Sequence, residues 1–151
     1  MIWFDRNGKQ IGIVGDAGNY GTVELSPNGD RVAVDAITTN NRDIWVIDVA
    51  RGVRSRITFD NGNDWSPSWS QDGSRLVFAS ARGGTNDIYQ KSASGVGNDE
   101  LVYKSERNEI AVHWAPNGNY VVFLPPVNYP DEAARMRDRF REAYSTIGAI
   151  L

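Results

Sequence analysis

The 151-residue chain has no cysteine and a single histidine, His113. The first absence excludes a disulfide framework, a thiol nucleophile and a cysteine-based zinc site. It suits a reducing or an oxidising compartment alike. No apolar run approaches the roughly 20 residues that a membrane-spanning helix needs. The opening stretch MIWFDRNGK lacks the apolar core of a secretory signal, so the sequence as given suits the cytoplasm. A net charge of −3 offers no electrostatic case for nucleic acid or for an anionic membrane, and neither is expected as a partner. Catalytic signatures are missing as well. There is no Gly-x-Ser-x-Gly elbow, no P-loop, no dinucleotide-binding glycine fingerprint and no His-Glu-x-x-His. The Gly-rich run SARGGTND at Ser80–Asp87 lies between two strand-like segments. A phosphate cradle needs a helix N-terminus after it, so this run reads as a hairpin loop. No cofactor and no bound metal are expected.

What the chain does have is a repeat. LSPNGDRVAV at Leu25–Val34 returns as WSQDGSRLVF at Trp69–Phe78 and as WAPNGNYVVF at Trp114–Phe123. Ser26, Ser70 and Ala115 follow one another at 44 and 45 residues, and so do Val32, Leu76 and Val121. A fixed period of this size marks a repeat architecture. One period reads as four strands: Gly21–Ser26, Arg31–Ile37, Asp43–Val49 and Arg54–Phe59. The next reads Ser66–Ser70, Arg75–Ser80, Asp87–Ser92 and Glu100–Lys104. Asn-Gly and Asp-Gly supply the positive φ that tight hairpins require. Four antiparallel strands in about 40–45 residues is the pattern of a β-propeller blade.

On these residues, and on DIWVIDVARG and RITFDNGNDWSPSWSQDGSRLVF, the chain resembles the TolB-type, WD-repeat-like six-bladed β-propeller. Propeller regions behind bacterial serine/threonine kinases and in TolB-like periplasmic proteins share the motif. The resemblance covers about Met1 to Phe123. It implies an all-β fold of four-stranded blades, six to a ring, allows a periplasmic location, and implies protein binding.

The first and last copies carry half of the pattern. Asp5 aligns with Asp48, so Met1–Val14 supplies the outer two strands of a blade. Ile110–Leu124 supplies the inner two, and Pro125-Pro126 stops the run. The expected organisation is a half blade at 1–15, blades at 20–60 and 64–104, and a half blade at 108–124. A propeller needs roughly four to eight blades. A two-fold homodimer would close six, with Met1–Val14 of one chain completing Ile110–Leu124 of its mate. Residues 125–151 are expected as a helical extension. Ala133, Met136, Phe140, Ala143, Tyr144 and Ile147 recur at helical spacing, while Asp131, Glu132, Asp138 and Glu142 balance the arginines.

Two sets of positions are candidates for function. Glu24, Ser68 and His113 share one register position on successive innermost strands. They form either a channel lining that could meet a divalent metal or a set of side chains hydrogen-bonded between blades. Asn19, Asn63 and Asn108 share another, just before the inner strand. With Tyr20, Asp64, Trp65, Arg82 and Arg107 they fall on one channel-mouth rim. There they form either a ring of groups for a polar ligand, peptide or protein, or turn residues bonded to local backbone. The expected function is a non-catalytic binding or scaffold module. The alternatives are a metal-dependent propeller hydrolase or lactonase, and a propeller fragment with no selected ligand.

Overall fold

The computed structural model describes residues 1–38, 41–104, 110–115 and 117–124. These residues form twelve strands and no helix. The strands are β1 (Ile2–Phe4), β2 (Gln10–Ile13), β3 (Tyr20–Leu25), β4 (Arg31–Thr38), β5 (Asn41–Asp48) and β6 (Arg54–Arg56). They continue as β7 (Asp64–Trp69), β8 (Arg75–Ser80), β9 (Asp87–Ser92), β10 (Glu100–Tyr103), β11 (Ile110–Trp114) and β12 (Val121–Leu124). All pairings are antiparallel and join strands adjacent in sequence. The result is a pair β1-β2, a sheet β3-β4-β5-β6, a sheet β7-β8-β9-β10 and a pair β11-β12. The helix expected within 125–151 lies outside the described residues.

The repeated turn explains the period. Ser26 N–H donates to the Arg31 carbonyl at 2.8 Å, Gly29 N–H donates to Ser26, and the Ser26 hydroxyl accepts the Arg31 N–H. Ser70, Gly73 and Arg75 repeat all three bonds. Gly73 has φ 68° while Asp72 before it is not left-handed. The tight turn is therefore the four residues Ser70–Gly73, ending on one left-handed glycine. A two-residue type I′ turn would need positive φ at both positions. Strand β6 is shorter than its apolar pattern suggests. The Thr58 hydroxyl, rather than a backbone carbonyl, accepts the Ile44 N–H and ends the ladder.

Three apolar layers join the four sheets. Val14, Met1 and Trp3 pack against Val32, Val34 and Ile47. Ala33, Ile44 and Val46 meet Trp69, Leu76 and Phe78 across the next gap. Val77, Ala79 and Ile88 meet Trp114 and Val121 across the third. The sheets thus stack face to face in chain order, with β3, β7 and β11 side by side along one edge of the stack. We expect Phe78→Ala to cost about 3–5 kcal/mol, because Phe78 is fully buried in the middle layer. Urea unfolding followed by tryptophan fluorescence measures it.

Candidate functional site

The inner strands carry the first candidate set. Glu24 lies on β3 and Ser68 on β7, 44 residues apart. The Glu24 carboxylate accepts the Ser68 hydroxyl at 3.1 Å and the Trp69 N–H at 3.4 Å. The Ser68 hydroxyl oxygen in turn accepts the Trp114 N–H at 3.0 Å. One register position thus does the same work twice: its side chain receives a backbone N–H from the next inner strand. Trp69 adds its indole N–H to the Glu24 carbonyl. His113, the third member, is exposed on β11. Burial raises the Glu24 pKa above its ordinary 4.5, and the Trp69 and Ser68 bonds only partly oppose it. Among the described residues no three His, Cys, Asp or Glu side chains gather as a metal-binding group.

The rim set divides. Asn19 is exposed, and its carbonyl accepts the Ile37 N–H. Asn63 is exposed too, but its side-chain oxygen accepts the Arg42 N–H of the preceding sheet at 3.0 Å. Tyr20 donates its hydroxyl to the Asp16 carbonyl and packs its ring in the first apolar layer. Trp65 packs in the third. Asp64 is fully buried and Arg82 nearly so. They face each other at 3.3 Å, and Arg82 also reaches Asp99 at 2.6 Å and the Ser80 hydroxyl at 2.7 Å. The Arg82 guanidinium lies 4.2 Å from the centre of the Tyr89 ring. Burial pushes the Asp64 carboxyl up, offset in part by hydrogen bonds from Ser80 and Thr58 and by Arg82. Arg107 and Asn108 lie outside the described residues.

One cluster on this rim escaped the sequence reading. Asp35 is fully buried, accepts the Thr22 N–H at 2.7 Å and the Thr22 hydroxyl, and pairs with Arg42. A Cβ at Gly21 would collide with both charged groups. One period later Trp65 stands at the place of Gly21 and Ala79 at that of Asp35. The ion pair therefore fills volume that an indole fills in the next sheet. Only the exchange of a glycine for a tryptophan between repeats signalled it.

Comparisons with known proteins agree with this fold. The model of the TolB beta propeller domain family, PD40, matches residues 6–138. The uncharacterised protein Atu1656 of Agrobacterium fabrum is 30% identical over 99 residues, which cover 66% of this chain and 33% of that protein. A TolB-named structure from Agrobacterium tumefaciens superposes with a TM-score of 0.67 at 26% identity, covering 78% of this chain and 42% of its own. TolB from Acinetobacter baumannii gives 0.70 at 23% identity, covering 82% and 31%, and supports the fold alone. The chain spans about a third of the length of the curated relative and less than half of either solved chain.

The raised Glu24 pKa sets a pH dependence. Its protonated form is favoured in the fold, so its stabilising contribution is full below pH 4.5 and fades as pH rises through the folded value. Glu24→Gln keeps an oxygen for the same donors and cannot ionise. The variant should gain stability relative to the parent between pH 4 and pH 7, read from paired urea midpoints.

Proposed function

The chain belongs to the TolB β-propeller family, and we propose from that premise that it is a non-catalytic protein-binding module. In this reading it holds an extended peptide or protein segment at the rim where the inner strands begin. The supporting observation is a recurrent break in those strands. The ladder shifts between Tyr20 and Val23, and again between Trp65 and Ser68. In the second break Ser66 has φ 52°, the only positive φ at a non-glycine among the described residues. Bulges re-aim side chains, and strained backbone gathers at binding sites. Asn19, Gly21, Thr22 and Asn63 are exposed around the two breaks. Exposed amide side chains beside an interrupted ladder suit polar recognition of an extended segment. By repeat spacing Arg107 and Asn108 would extend the same rim. Asp64, Arg82 and Glu24 are engaged with protein partners of their own. That engagement favours a binding role over a hydrolytic one.

A second copy of this chain is the partner proposed for the open sheet edges. Strand β1 pairs only with β2, and β12 only with β11, among the described residues. Ile2, Phe4, Ile11 and Ile13 are 55–69% exposed on one face of the β1-β2 pair, and Val23 and Leu25 are exposed on β3. Strand β12 of a mate laid beside β1 would complete four strands and cover Val23 and Leu25. Performed twice about a two-fold axis, this closes six blades.

Peptides selected on the chain from a random phage-displayed library test the rim. We expect Asn19→Arg to weaken them at least tenfold and Val96→Arg, at the far end of the β9–β10 connection, to leave them unchanged. Peptides indifferent to Asn19→Arg would sink the rim reading. Light scattering after size exclusion tests the second proposal, with twice the chain mass expected at micromolar concentration; a stable monomer rejects it.

A further inference from the structure

The Asn-Gly and Asp-Gly turns stand at the end of the sheets opposite the rim just described, and between neighbouring turns the stack forms slots. In the slot between the two four-stranded sheets, Arg31 lies over the Trp69 indole, 4.7 Å from its centre. Its Nη2 donates to the Gly73 carbonyl at 2.8 Å. The indole face and the carbonyl are thus both occupied by a guanidinium from the preceding repeat.

The next slot is built from the same positions one repeat on. Arg75 corresponds to Arg31, Trp114 to Trp69 and Gly118 to Gly73. Here the arginine turns away. Arg75 donates to both oxygens of Glu100 at 3.1 and 3.0 Å, and Gln90 holds the same carboxylate at 2.9 Å. In the preceding sheet Val46 and Ser55 stand where Gln90 and Glu100 stand here, so Arg31 meets no carboxylate across the strands and pairs only through its Nε with the adjacent Asp30 at 3.3 Å. What remains is a groove of about 520 Å³ lined by Ser70, Asp72, Ser74, Arg75, Trp114 and Gly118, in which the Trp114 indole N–H donates to the Gly118 carbonyl at 3.1 Å. Asp72 replaces the neutral Asn28 of the first slot. Bonds from the Ser70 hydroxyl and from the Ser74 N–H and hydroxyl hold its carboxyl at about 2, so it is charged at neutral pH.

We infer that this groove is a binding site for an arginine side chain of a partner polypeptide, stacked on Trp114 and paired with the Asp72 carboxylate. A planar guanidinium can stack on an indole and donate in its own plane to a carboxylate, which an ammonium does less well. Glu100 is a positioning residue that holds the Arg75 guanidinium at the wall of the groove and off the Trp114 ring. The site lies at the other end of the strands from the proposed peptide rim and stands or falls separately from it.

The test is a titration of the ¹⁵N-labelled 151-residue chain with Nα-acetyl-arginine amide, following the indole N–H signals by NMR. Trp114→Phe assigns the signal. The Trp114 signal should move saturably, with a dissociation constant on the order of 1 mM. The Trp69 signal should stay in place, because Arg31 already fills its slot. Nα-acetyl-lysine amide should bind at least fivefold more weakly, and Asp72→Asn should weaken the arginine probe at least threefold. Glu100→Gln should release Arg75 into the groove and cut binding at least fivefold, and adding Arg75→Ala should restore it. A Trp114 signal that does not move, movement without saturation, or binding indifferent to Glu100→Gln overturns the inference.

Discussion

The structure depends on strands that must be covered on both faces. Every residue from Val32 to Ala36 on β4 is buried, and so is every residue from Leu76 to Ser80 on β8. A single sheet with apolar groups on both sides has no stable solution in water, since burial of one face leaves the other exposed. Stacking sheet on sheet resolves this. Val32 and Val34 face one layer while Ala33 faces the next; Leu76 and Phe78 face that same layer while Val77 and Ala79 face a third. The strands at the ends of the stack have no such cover, which is why Ile2, Phe4, Ile11 and Ile13 remain in contact with solvent.

Polar groups set the spacing of the layers. Each inner strand offers an N–H to the one before it, received by Glu24 in one case and Ser68 in the other. Farther out, Asn63 receives the Arg42 N–H and Arg31 reaches Gly73, again from one sheet to the next. These bonds are directional where apolar contact is not, so they fix how one sheet is rotated and shifted over its neighbour. The repeats then diverge inside that frame. Gly21 with Asp35 and Arg42 occupies the place that Trp65 and Ala79 occupy one repeat later, and Glu100 redirects an arginine that its predecessor leaves pointing into the stack.

Much of this was legible before the fold was known. The strands fell within a residue or two of their periodic runs, since alternation and the Ser-x-x-Gly turn act over short distances. The end of β6 did not, because the donor that ends it is met by a side chain two residues beyond the last paired position. Of the candidate site, the register of Glu24 and Ser68 was visible from the period, and their contact followed from it. The inward turn of Arg82 was not, because its partners Asp64 and Asp99 are 18 and 17 residues away, one on β7 and the other in the connection before β10. Asn63 read as a local turn residue, yet its partner Arg42 is 21 residues distant in the preceding sheet.

The sequence by itself determined the strand order, the turns and the period of the repeat, because these rest on backbone sterics and on neighbours a few residues apart. The tertiary structure alone decided which polar side chains are consumed between sheets and which stay open to solvent. Arg31 and Arg75 sit at the same point of the repeat, and locally they differ in the residue before them, Asp30, which the Arg31 Nε meets at 3.3 Å, against Ser74. Their fates differ because Glu100, brought alongside by the pairing of β9 with β10, offers a carboxylate at one site that Ser55 cannot offer at the other.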